Sequence, residues 1–86
     1  MVNKMFEKEY IDKIINDDNR ELIELMRKCN IKDENILITL LGFGSHKSYY
    51  NVLKNRINND IDNVDDNWIK REVIFLLKEI DRSEDM

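Results

Sequence analysis

Punctuation is the tightest constraint on this chain: it has no proline, and its two glycines stand at 42 and 44. Turns must therefore be built largely from Asn and Asp, whose side chains compete for backbone hydrogen bonds and favour turns and helix N-caps over helix interiors. Between these clusters apolar residues recur every three to four positions, the period of one helical face. Phe6, Tyr10 and Ile14, with Ile11 and Ile15 beside them, predict a first helix over about 4–16. Asp18 followed by Glu21 has the spacing of an acidic capping box and leads into Leu22, Ile23, Met26 and Cys29, a second helix over about 19–29. Asn30 can end it.

Asp33 is placed to cap a third helix, about 34–42, carrying Ile36, Leu37, Leu40 and Leu41. Gly42-Phe43-Gly44 supplies positive φ angles for a reversal, and Ser45 offers a hydroxyl to a fourth helix, about 46–58, with Tyr49, Val52, Leu53 and Ile57 on its stripe. Eight of the ten residues from Asn58 to Asn67 are Asn or Asp, which predicts the longest loop there. Asp65 or Asp66 then caps a fifth helix, about 66–81, with Ile69, Val73, Leu76, Leu77 and Ile80 inward and a fraying polar tail from Asp81 to Met86. The expectation is a single all-α domain over 1–86, with five helices joined by short turns that pack as successive antiparallel neighbours.

Trp68 to Ile80, preceded by Asp65 and Asp66, resembles the first helix of a HEAT-like repeat: an acidic turn, an aliphatic residue, basic residues, then buried positions ending in Leu77 and Ile80. Leu40-Leu41-Gly42-Phe43-Gly44 is similar to the end of another such helix, and Ser48, Tyr49, Val52, Leu53 and Ile57 fall where the second helix of a repeat buries its residues. The likeness covers about residues 33–81, and the first two helices extend it as a degenerate pair. It implies a short right-handed array of stacked helix pairs serving as a binding scaffold. Val73, Ile74 and Leu76 stand where such repeats use small residues to nest, so a compact five-helix bundle is the alternative packing.

Charge is concentrated rather than spread. The net charge is −4, and Asp60, Asp62, Asp65 and Asp66 carry as much within one stretch that holds no basic residue. This balance disfavours direct binding to a phosphate backbone. The stretch is not an EF-hand, because counting from Asp60 the fifth position is Val64, the sixth Asp65 and the twelfth Arg71. It reads as a solvated loop with a helix cap or as an acidic contact surface for a basic partner. Trp68 and Tyr50, aromatic residues beside charges, are either buried anchors of the core or interface anchors, Trp68 equally one or the other and Tyr50, with Lys54 next along its face, leaning toward contact.

Catalytic and metal chemistry find little purchase. Gly42 to Ser48 has glycines but lacks the spacing of a P-loop or a dinucleotide fingerprint. Cys29 and His46 are the only residues of their kinds, too few for a Cys/His zinc site, and Cys29 lies on an apolar stripe. Carboxylate pairs such as Glu21 and Glu24 read as solvated faces. No cofactor and no reaction are expected. The opening residues lack the apolar stretch of a secretory signal, and no run approaches the roughly 18 apolar residues of a membrane span, which points to a cytoplasmic protein.

In size, charge and helical character the chain is similar to bacterial immunity proteins. That resemblance implies a protein that neutralises a basic toxin domain, such as a nuclease, by covering its active site. The alternative is a phage or mobile-element regulator that inhibits a host machine through an acidic surface. Either would be a monomer or weak dimer, with Asp60, Asp62, Asp65, Asp66, Trp68, Tyr50 and Lys54 as the contact residues.

Overall fold

The computed structural model describes residues 4–84. They form five α-helices: α1 (Lys4–Ile14), α2 (Arg20–Lys28), α3 (Asp33–Phe43), α4 (Ser48–Asn59) and α5 (Asp66–Glu84), with a short 3₁₀ turn at Ile61–Asn63 between the last two. No strand occurs among the described residues. α5 continues through Asp81 to Glu84 instead of fraying there, and the last two residues of the expected tail lie outside the described part.

Helices two apart in the chain make the main contacts. α1 packs on α3, α3 on α5, and α2 on α4, while the contacts of α2 with α3 and of α4 with α5 are smaller. The odd-numbered helices thus form one layer and the even-numbered helices a second. This replaces the expectation that successive helices supply the main facing pairs. Two registers show how. Asp66, which opens α5, accepts hydrogen bonds from Lys32 and Asn35 at the start of α3, while Gly42 near the end of α3 abuts Leu77 farther along α5. α3 and α5 therefore run in the same direction. In the second layer Asp18 and Lys47, which precede α2 and α4, pair at 3.0 Å, and Lys54 binds Glu21 farther on. These two helices also begin at one end.

The core lies between the layers. Ile11 of α1, Leu22, Ile23 and Met26 of α2, Ile36, Leu40 and Phe43 of α3, Leu53 and Ile57 of α4, and Ile69 and Leu76 of α5 are all buried. Thr39 and Asn35 are buried among them with partners: the threonine hydroxyl donates to the Asn35 carbonyl at 2.7 Å, and the Asn35 amide donates to Asp66. A buried polar group without such a bond would carry its full desolvation penalty.

Several local expectations are corrected. On α1 the buried positions are Glu7 and Ile11, while Phe6 and Tyr10 are exposed and lie against each other, with ring centroids 6.2 Å apart. α1 packs chiefly on α3, so a narrow stripe suffices to cover it. On α4 the buried set is Tyr50, Leu53 and Ile57, with Tyr49 only half-buried and Val52 exposed. Asp18 caps nothing: Asn16 and Asn19 close the turn before α2, with Asn16 Oδ1 accepting the amides of Asp18 and Asn19, and Asn19 Oδ1 accepting that of Asn16. Asp33 lies inside the first turn of α3 rather than before it, and α4 begins at Ser48, past Ser45. Of the reversal glycines, Gly44 alone has positive φ, at 54°. Asn30, at φ 62°, ends α2 in the left-handed conformation, as its residue type suggests.

Burial yields a direct contrast. Ile36→Ala, in the centre of the core, should cost about 2–5 kcal/mol, whereas Leu41→Ala, on the outer side of the same helix, should stay within about 0.5 kcal/mol. Urea unfolding of the two variants measures both; equal losses would contradict the assigned faces.

Candidate functional site

Each aspartate of the α4–α5 connection has its own surroundings. Asp60 follows the last turn of α4; its Oδ2 accepts the indole N–H of Trp68 at 2.7 Å and its Oδ1 the side-chain amide of Asn63, also at 2.7 Å. Asp65 caps α5, its Oδ1 accepting the backbone N–H of Trp68 at 2.8 Å. Asp66 Oδ1 accepts the Lys32 amide at 2.9 Å and the Asn35 side chain at 2.7 Å. Asp62, on the 3₁₀ turn, is exposed and has no hydrogen bond or ion pair within the described residues. Three carboxylates hold the connection together, and one faces solvent alone.

The surroundings favour ionisation. The hydrogen bonds from Asn63 and Trp68 lower the Asp60 carboxyl below the usual aspartate value. At Asp66 desolvation pushes upward, but the bonds from Lys32 and Asn35, with the charges of Lys32 and Lys70 nearby, outweigh it and the net direction is down. Among the described residues, no lysine or arginine forms an ion pair with any of the four. The cations that do pair are engaged elsewhere: Lys47 with Asp18, Lys54 with Glu21, Arg56 with Glu72, and Arg27 with Asp12 and Asp33. Three of the four charges of the connection are thus held in fixed positions, and all four are left uncancelled by contact.

The two aromatics stand elsewhere than an exposed interface requires. Trp68 is 6% exposed and Tyr50 7%, both part of the core. The indole has its partner in Asp60, and the Tyr50 hydroxyl donates to the Gly44 carbonyl at 3.2 Å. Burial, with Asp18 nearby, pushes the Tyr50 phenol up against the opposing effect of Lys47. Tyr50 and Lys54 line a separate polar cleft of about 290 Å³ between α2 and α4, together with Asp17, Asp18, Glu21 and Lys47. By helical rise this cleft's Tyr50 is about 15 Å along α4 from Asp60. The seven expected contact residues therefore divide into two groups.

Two features escape a reading of stripes. Ile61, between Asp60 and Asp62, is 43% exposed and puts an apolar side chain inside the acidic connection. The second is an apolar groove of about 220 Å³ between the parallel helices α3 and α5, lined by residues that include Ile38, Ile74 and Leu77. α3 has apolar residues nearly all round, a pattern that by itself predicts burial on every side, yet Ile38 and Leu41 remain exposed. Cys29 is half-buried, and desolvation raises its thiol pKa, the opposite of what activates a nucleophile. Among the described residues, no three His, Cys, Asp or Glu side chains converge as a metal site, and no helix is long and apolar enough to cross a membrane. Comparisons with known protein families, with curated proteins and with solved structures gave no match.

The carboxylates link acidity to folding. Because Asp60 and Asp66 titrate lower in the folded chain, their stabilisation is complete above the unfolded value near 3.8 and is lost as pH falls through the lower folded values. Asp66→Ala, which strands two donors, should cost about 1–2 kcal/mol at neutral pH. An Asp60→Asn/Asp66→Asn variant should lose less stability than the parent on acidification below pH 3.8. Circular dichroism across a pH series reads this; identical acid profiles would contradict the assignment.

Proposed function

We propose that the protein is a non-catalytic binding protein that meets a basic protein partner through the α4–α5 connection, and more specifically an immunity protein that covers the active site of a basic toxin domain, such as a nuclease. The observation that carries the reading is the set of ionised carboxylates fixed by Asn63, Trp68, Lys32 and Asn35 and paired with no cation among the described residues. A nuclease active site is cationic because it must hold a phosphate backbone. An acidic surface is its electrostatic complement.

Fixed carboxylates suit this task for two reasons. Their field speeds encounter with a cationic surface, and their order in the unbound chain reduces the entropy lost on docking. Asp62, with the second carboxylate oxygens of Asp65 and Asp66, offers the acceptors for lysine or arginine of the partner. Ile61 supplies the apolar contact that buried Trp68 does not. The parallel pairing of α3 with α5 and of α2 with α4 supports the likeness to stacked HEAT-like helix pairs, in which a rigid array presents its connections to a partner. Function by occlusion requires only that the array stay folded while bound.

Stopped-flow association with a candidate toxin nuclease domain is the direct test. The association rate should fall about tenfold or more between low and physiological salt. Asp62→Asn combined with Asp65→Asn should slow association severalfold at low salt while α5 remains folded, since Asn also caps helices. Association indifferent to salt and to these substitutions would overturn the reading.

A further inference from the structure

The groove between α3 and α5 has a pattern along one wall that fits a second copy of this chain. Lys70, Ile74, Leu77 and Asp81 follow one another on α5 at spacings of four, three and four, so at about 100° per residue they share one stripe about 60° wide. Lys70, Ile74 and Leu77 line the groove, and Ile38 of α3 forms the opposite wall. Ile38 and Ile74 are 58% and 55% exposed, and Leu41, one turn beyond Ile38, is 59% exposed. Lys70 and Asp81 are exposed, and neither forms an ion pair within the described residues. Lys70 is close enough to Asp66 to help hold that carboxyl ionised, but Asp66 spends its bonded oxygen on Lys32 and Asn35.

A stripe that reads cation, apolar, apolar, anion with symmetric spacing is complementary to its own reverse. We propose that two copies associate about a two-fold axis with their α5 helices antiparallel, each lying over the groove of the other. Ile74 of each copy then packs on Leu77 of the other, and Lys70 of each meets Asp81 of the other, the reciprocal contacts that a two-fold interface requires. The two charged ends are about 16 Å apart along the helix, so both pairs form together only in the antiparallel arrangement. Lys78, also exposed, lies about 70° round α5 from the middle of the stripe, on the side away from Val73 and the groove. Arg71, also exposed, lies farther round α5 from the stripe. The interface does not involve the acidic connection, so it stands or falls separately from the proposed function.

Charge reversal tests it. Sedimentation equilibrium of the full chain from micromolar to millimolar concentration should show the mass rising toward twice that of the monomer. Lys70→Glu and Asp81→Lys should each weaken the dimer about tenfold by opposing like charges, and the double variant Lys70→Glu/Asp81→Lys should recover it. Circular dichroism confirms that each variant keeps its helices, as expected for exposed positions. A monomer at every concentration overturns the proposal, as does a dimer that ignores the single reversals or is not restored by the double one.

Discussion

One carboxylate sets the register of the larger layer. Asp66 stands at the first residue of α5, and its Oδ1 joins the amide of Lys32 to the side chain of Asn35, which ties the starts of α3 and α5 together across more than thirty residues of sequence. From that anchor the helices run side by side, and Gly42 lets Leu77 approach α3 closely: a Cβ at this glycine would lie 3.3 Å from a Leu77 methyl carbon. The buried hydroxyl of Thr39 is satisfied one turn beyond Asn35, inside the same seam. Hydrophobic burial supplies the driving force here, as in most domains, but it is non-directional. Hydrogen bonds at the helix starts supply the direction.

The acidic connection serves folding and the proposed binding with the same atoms. Asp60 grips the indole of Trp68, Asp65 caps the helix that bears it, and Asp66 locks that helix to α3. A carboxylate engaged in hydrogen bonds from neutral donors keeps its charge while losing its mobility. The connection thereby projects negative potential from positions already determined by the fold, with Asp62 and Ile61 facing outward beside them.

Helices were legible because their signal is local: the stripes of α2, α3 and α5, the stop at Asn30 and the cap at Asp65 depend on residues a few positions apart. The acidic connection was legible for the same reason, as a run of like residues. Layer order was not, since nothing near Asp66 in sequence announces that its partners are Lys32 and Asn35. Asp18 looked like a cap because the spacing to Glu21 fits one, yet Asn16 and Asn19 satisfy that turn and leave Asp18 for Lys47. The choice between Tyr49 and Tyr50 on α4 turned on a rotation of about 100°: both rings lie against Phe43, and Tyr50 is the one buried with its hydroxyl on the Gly44 carbonyl. Ile38 and Ile74 were unreadable as surface because apolar residues beside a stripe look the same whether or not a neighbouring helix covers them.

The bond between Trp68 and Asp60 has an optical corollary. Trp68 is the chain's sole tryptophan, and its indole N–H points at a carboxylate on the far side of the connection. Indole emission depends on the charge and polarity next to the ring, so every photon the tryptophan emits reports the state of that connection. The molecule carries its own fluorophore at the proposed docking place, so that proposal can be followed in the unlabelled protein.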